Sequence, residues 1–325
     1  MKICSLEESK KIYHDLCQEE PTINIYSQDW YLDAVVKKKS DWKVILVEEK
    51  GKIQAAFPFQ YTKQHGLYYI ENPWQCSRGG IWVRKKAYKS KRDELTFQRE
   101  IINIIVAALP KFDVFKIKFD ADFVNWQPLY WKGFEEQTNY STIIYPSDDN
   151  TLSNISSRRR NQIKSALNKY IIIENMISSD KYWDYFEKSC RLRDMSPLYS
   201  KEAFIALYNV LNEKHACITR YAENDEGEVV AGNIIIHDQL RHYDQFSFFM
   251  PEGGNEANAL LKYLAIEKAK QSNCIFDFEG SMIPGICEYN ASFNPQWEPY
   301  HFIYKYSNRY QLLQDVKKFK NFCKK

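Results

Sequence analysis

The sequence predicts an α/β (α+β) fold in which mixed β-sheets are flanked by helices and one module is used twice. Three observations predict it. Apolar runs of strand length alternate with amphipathic runs of helix length along the whole chain. Two hairpins echo each other: residues 44–47 and 53–56 around an acidic turn with Gly51, and residues 218–222 and 229–232 around an acidic turn with Gly227. Each hairpin is preceded by helices and followed by further strands and a helix, which a duplicated module accounts for economically. No stretch rich in Pro, Gly or Ser separates the halves, and the modules are expected at 1–146 and 147–325.

The first half opens with a helix at Ser9–Glu19 and a second carrying Trp30, Tyr31, Ala34 and Val35, with Ser27 as candidate N-cap. Residues 42–47 and 53–60 read as strands, and 67–70 as a third after the turn at His65-Gly66. Residues 72–80 are irregular. An apolar helix at 97–109 stops before Pro110, and 114–119 and 134–145 read as strands. In the second half, 149–170 reads as helical with a break near Ser156-Ser157, and 171–173 as a strand. Helices at 181–193 and 202–213 precede strands at 216–222, 229–236 and 242–249. The loop 251–255 leads into a helix at 256–271 with Leu260, Leu261 and Leu264 on its apolar stripe. A strand at 274–278, a short helix begun by Pro284, a strand at 297–306 and a Lys-rich amphipathic helix at 309–322 complete the order.

Composition narrows the function classes. Of the 325 residues, 44% are hydrophobic and 27% charged, the balance of a soluble globular protein. A net charge of +3 is too small to argue for a nucleic-acid coat. Aromatics make up 15%, which fills cores and also lines clefts for polar ligands. The eight cysteines form no C-x-x-C pair and none stands near a His at zinc spacing, so they read as reduced thiols of a cytoplasmic protein, with no metal expected. Residues 1–8 turn acidic where a signal peptide needs an apolar core, and no apolar run approaches the ~20 residues of a membrane span. Nothing fixes the oligomeric state.

The stretch Phe276-Asp277-Phe278-Glu279-Gly280-Ser281 concentrates the candidate chemistry. Strand alternation puts Asp277 and Glu279 on one face, where two carboxylates raise each other's pKa and can move protons. The alternative is structural: Asp277 pairs with a basic residue and Glu279 caps a helix. The loop 251–255 joins a strand to a helix. Its Gly253 and Gly254, with Asn255, let backbone N–H groups face a phosphate, or form a plain turn. It matches neither a Walker loop nor G-x-G-x-x-G. Arg158, Arg159 and Arg160 suit phosphate or carboxylate in a bidentate grip, or form a solvated helix face. Arg78-Gly79-Gly80 suits an anion nest or a loop. His237 and His242 flank a hairpin turn without metal spacing.

Four stretches in order resemble the running motifs of FemAB-like proteins of the GNAT (Gcn-five-related N-acetyltransferase) superfamily. They are residues 27–35, 125–134, 158–166 and Asp277-Phe278-Glu279-Gly280-Ser281 with its trailing Gly285, Tyr289 and Phe293. Where the family often has Phe-Gly, this chain has Phe293-Asn294. The resemblance implies tandem GNAT-like modules and transfer of an acyl group to a small-molecule amine acceptor, from acetyl-CoA or another acyl-CoA. It places the donor pyrophosphate at Gly253, Gly254 and Asn255. The best-studied relatives use aminoacyl-tRNA to build peptidoglycan bridges, so tRNA is the alternative donor and partner. A catalytically silent binding module for an anionic or sugar ligand is the third reading. In the implied chemistry Glu279 or Asp277 is the base, and Tyr243 or Tyr289 donates a proton or holds the carbonyl oxygen. Arg158, Arg159 or Arg78 holds an anionic group, and Ser281 orients the acceptor.

Overall fold

The computed structural model describes residues 1–4, 9–174, 177–197, 199–251, 253–280 and 282–322. The chain divides into two compact units, one of residues 1–139 and 299–325 and the other of residues 140–298. In chain order the first unit contributes β1 (Lys2–Ile3), α1 (Ser9–Glu19), α2 (Asp29–Val35), β2 (Trp42–Glu49), β3 (Lys52–Gln64), β4 (Leu67–Glu71), β5 (Trp82–Val83), α3 (Lys91–Ala108), β6 (Val114–Lys118) and α4 (Gln127–Tyr130). Strand β7 (Glu135–Ile144) carries the chain into the second unit. There follow α5 (Ser157–Leu167), β8 (Ile171–Ile173), α6 (Ser179–Arg191), α7 (Lys201–Glu213), β9 (Cys217–Glu223), β10 (Val229–His237), β11 (Arg241–Phe249), α8 (Gly254–Gln271), β12 (Ile275–Asp277) and α9 (Pro284–Ala291). Strand β13 (Gln296–Tyr306) returns to the first unit, which ends with α10 (Asn308–Phe322).

The predicted repeat is present in the topology. In the first unit β2, β3 and β4 form an antiparallel meander, α3 crosses over, and β6 lies parallel to β4. In the second unit β9, β10 and β11 form the meander, α8 crosses over, and β12 lies parallel to β11. A parallel neighbour requires such a crossover, and a helix supplies it. The closing strands are exchanged. β7 follows the first module in sequence but pairs antiparallel with β12, Phe276 opposite Ile144 and Asp277 opposite Ile143. β13 follows the second module but pairs with β6, from Phe302 opposite Lys118 to Tyr306 opposite Val114. The expected division after residue 146 therefore does not coincide with the compact units, and residues 299–325 belong with the first rather than the second.

Each unit has its own core. Phe57, Phe59, Phe115 and Phe119 from the sheet meet Ile101 and Ile105 of α3 in the first. Ile144, Phe276 and Phe278 meet Leu260, Ala265 and Ile266 of α8, with Phe293, in the second. Two helix starts differ from the pattern reading. α3 begins at Lys91, where the Ser90 hydroxyl accepts from the Asp93 N–H, and its polar first turns carry no apolar stripe to announce it. Ser27 caps nothing: it lies buried in a 3₁₀ turn and donates its own N–H to Asn24, while α2 starts after Gln28. Among the described residues no helix is long and apolar enough to cross a membrane.

Candidate functional site

The repeat makes the second unit's distinguishing feature visible. β11 and β12 pair for three residues only, Arg241 with Ile275, His242 with Phe276 and Tyr243 with Asp277. β11 then runs on to Phe249 while the other branch turns away at Glu279 and Gly280. The two parallel strands thus part as a fork over α8. On the far edge of β11 the register jumps from Ile235 opposite Asp244 to Ile234 opposite Phe246, so Gln245 is the extra residue of a β-bulge at the fork. In the first unit the corresponding space beside β6 is filled by the chain itself. Gly79 forms a parallel bridge with Phe119, its N–H donates to the Lys118 carbonyl, and the Asn72 side chain bonds both the N–H and C=O of Lys118.

Asp277 and Glu279 do not share a face. The strand ends at Asp277, and Glu279 has φ of 68°, a left-handed conformation that breaks the alternation. Asp277 is fully buried. It accepts from Ser141 Oγ at 2.6 Å, from the Glu279 N–H at 2.9 Å and from Arg241 at 3.0 Å, and Arg241 also grips Glu298 with two nitrogens. The structural alternative for Asp277 is the one observed. A buried carboxylate that accepts from a guanidinium, a hydroxyl and a backbone N–H is fixed in position by charge-assisted hydrogen bonds. Tyr243 lies on the same side, buried, and its hydroxyl donates to Asp238 in the hairpin turn. Glu279 is half-buried at the mouth of the fork.

The opposite face, toward α8, holds a second polar group that the sequence reading did not single out. Lys262 and Asp244 form an ion pair with side chains only 6% and 7% exposed. Burial draws the Lys262 ammonium down to about 7, the nearby Arg159 adding to the shift, while the paired carboxylate acts the other way. The Lys262 nitrogen lies 5.8 Å from the Phe278 ring and 5.9 Å from the Tyr289 ring. Asn258, one helical turn before Lys262, donates to the Tyr289 hydroxyl at 3.0 Å, and its own Oδ1 is buried without a partner. Arg159 lies 4.0 Å over the Tyr289 ring and donates to Ser292 Oγ and Gln162. Burial pushes the Tyr289 phenol up to about 12 against the pull of Arg159 and Asn258. The sequence carried one signal for this cluster: Asn258 and Lys262 stand four apart within the otherwise apolar stripe of α8.

The remaining predicted residues are placed as follows. Arg158 is exposed in the first turn of α5. Arg78 belongs to the first unit, where it is buried and stacks 5.3 Å from the Tyr300 ring centre. The Gly79 N–H is spent on Lys118, so this loop is no open nest. Ser281 lies outside the described residues. Gly254 is buried, whereas Gly253 is exposed in a left-handed turn at the start of α8. A Cβ on Gly253 would meet the Tyr170 hydroxyl at 2.4 Å, and one on Gly254 the Val230 carbonyl oxygen at 2.9 Å. Asn255 is exposed beside them, but Glu256 in the first turn of α8 already sets a carboxylate there, paired with Lys169 and Ser165. The Glu256 carboxylate answers part of the favourable field that the start of α8 offers an anion at this loop. His242, expected to decorate a hairpin, is buried 5.2 Å from the His237 ring.

No family model matches the sequence, and no curated protein matches it. Solved structures do share its fold. FemX superposes with a TM-score of 0.70 at 14% identity, over 96% of this chain and 99% of that one. A conserved protein of unknown function from Bacteroides thetaiotaomicron gives 0.57 at 11% identity, over 94% and 98%. L-PGS from Bacillus licheniformis gives 0.54 at 12%, over 95% and 96%. Together with the duplicated meander, crossover helix and parallel strand, these likenesses identify the chain as having the FemAB-like fold, two GNAT-type modules in tandem.

Proposed function

We propose that this chain is an N-acyltransferase that moves an acyl group from an activated thioester or ester to an amine, at the fork of the second unit. The fork itself carries the reading. Two parallel strands part beside a buried polar cluster, whereas the matching space in the first unit is plugged by Gly79. A bulge and a left-handed Glu279 meet at the fork and supply the local irregularity that functional sites retain. Glu279, the half-buried carboxylate at the mouth, meets the acceptor's ammonium. Tyr289, oriented by Asn258, gives the acyl carbonyl oxygen a hydrogen-bond donor. Arg158, exposed at the start of α5, is available to an anionic portion of either substrate.

Acyl-CoA is the donor the resemblance implies. The Glu256 carboxylate at the start of α8 favours a second reading, in which the donor is an aminoacyl ester such as aminoacyl-tRNA, whose binding places no pyrophosphate there. The test offers the purified chain acetyl-CoA or alanyl-tRNA with glucosamine and lysine as amine acceptors, products being read by mass spectrometry. Transfer from either donor is the expected result, and the productive donor decides between the readings. No transfer from either, with ligand binding intact, would identify a silent binding module. With Glu279→Gln the acceptor KM should rise about 10–100-fold, the loss of one charge-assisted hydrogen bond, with kcat little changed.

A further inference from the structure

An amine attacks a carbonyl only as the free base, so the site needs a group that takes a proton near neutral pH. Neither predicted carboxylate is well placed. Asp277 is held by three donors on the face away from α8, and Glu279 lies at the open mouth. We infer that Lys262 is the proton acceptor of the transfer, with Asp244 holding the ammonium it becomes. The inference rests on the acyl-transfer reading and extends it to a residue outside the motifs.

The geometry points there in three ways. Lys262 lies between the branches of the fork: its ion-pair partner Asp244 is the first β11 residue past the last β11–β12 pair, and Phe278, on the other branch, lies 5.8 Å from its nitrogen. A lysine 5% exposed is costly to keep in an apolar layer, and ion pairs of this kind are often no more stable than apolar side chains of the same volume. Beside it Asn258, a residue 6% exposed, has its Oδ1 buried without a partner, an acceptor that an amine N–H satisfies. Among the described residues, the charged and titratable groups facing Lys262 are Asp244 from β11, Arg159 from α5 and Tyr289 from α9. Burial and Arg159 favour the neutral amine; Asp244 favours the ammonium once formed.

The step balances without a further reactant. Neutral Lys262 takes one proton from the acceptor ammonium, leaving R–NH₂. Its lone pair forms the C–N bond at the donor carbonyl, whose oxygen takes the π electrons against the Tyr289 hydroxyl. The carbonyl re-forms as the bond from carbon to the leaving oxygen or sulfur breaks. The second proton on the new nitrogen passes to that leaving group. Lys262 then returns its proton to solvent.

The experiment pairs a titration with kinetics on the full chain. In protein labelled with ¹³C-lysine, the Lys262 ¹³Cε resonance, assigned by its absence from Lys262→Arg, should titrate with a midpoint between about 6 and 8. In the wild type, kcat for the productive donor and amine should fall below the same midpoint. Lys262→Arg keeps a cation against Asp244 but stays protonated. It should retain the fold by circular dichroism, lose roughly 10²–10⁴ in kcat and lose that acid limb, with KM within a few-fold. A Lys262 that stays protonated above pH 9 overturns the proposal. So does a Lys262→Arg variant that folds and keeps both turnover and limb, or a Glu279→Gln variant that loses kcat rather than affinity. If the wild type transfers from no donor, the acyl-transfer reading falls and takes this step with it. If the arginine variant fails to fold, the wild-type titration and acid limb decide alone: agreement supports the proposal and disagreement overturns it.

Discussion

His242 shows what one buried residue does to the whole protein's response to acid. Its ring is 3% exposed and its Nδ1 has no partner. Burial, with His237, Arg220 and Lys268 adding like charge, pushes it down to about 4 from an ordinary 6.5. The unfolded chain therefore binds a proton on this ring between pH 6.5 and 4 that the folded chain refuses, and stability falls as pH falls through that window. The full loss at the acid end is on the order of 3 kcal/mol, and above pH 6.5 almost none of it is felt. Urea unfolding at pH 7 and pH 5 should show the wild type losing more than His242→Phe, which keeps the ring and removes the titration. Equal losses would mean the ring is already charged or solvated in the fold. Asp277 contrasts with it: this buried side chain is met by hydrogen bonds from Ser141, Arg241 and the Glu279 N–H, so its polar atoms have partners that the His242 Nδ1 lacks.

At the scale of elements, the branch from β12 to α9 depends on how closely it approaches β7. Gly280 has φ of 63°, and a Cβ there would meet the Tyr140 carbonyl oxygen at 2.5 Å and Ser141 Cα at 2.9 Å. Both are backbone of the strand that pairs with β12, so neither can swing aside. Gly280→Ala should cost about 1–2 kcal/mol for the left-handed conformation and more for the displaced strand, lowering Tm measurably. Gly285→Ala is the control. Its Cβ enters open space near the start of α9, and Tm should hold or rise slightly. Equal effects would show that the contact with β7 is not what Gly280 serves. The same kind of packing acts at Gly254, where a Cβ would meet the Val230 carbonyl oxygen at 2.9 Å, so a glycine is required there by the backbone alone, whether or not the loop also takes a ligand. Most element types and their order were legible because hydrophobic periodicity follows burial. The left-handed Glu279, the bulge at Gln245 and the Asp244–Lys262 pair were not, because each depends on which strands and helices meet, and local spacing carries no record of that.

The exchange of closing strands sets what counts as a folding unit in this molecule. Residues 140–144 supply β12 with its antiparallel neighbour, burying Ile143 and Ile144 at 1% and 0% exposure and bringing Ser141 to Asp277. A fragment cut at the boundary the sequence suggests would lose all three. Two buried isoleucines are worth roughly 3–6 kcal/mol of burial, and Asp277 would lose a hydrogen bond in a site closed to water. That sum is comparable to the whole stability of an ordinary domain, about 5–15 kcal/mol. Fragment 140–298 should therefore unfold cooperatively in urea, whereas 147–298 should show a collapsed state without a sharp transition. By the same reasoning, residues 1–139 alone lack β13 against β6, and joining them to 299–325 through a flexible linker should restore cooperativity. Circular dichroism with matched fluorescence transitions measures both pairs. A fragment 147–298 as stable as 140–298 would show that β7 decorates the second unit rather than completing it. Its failure would establish that each half of the duplicated sequence is finished by a strand borrowed from beyond its own end.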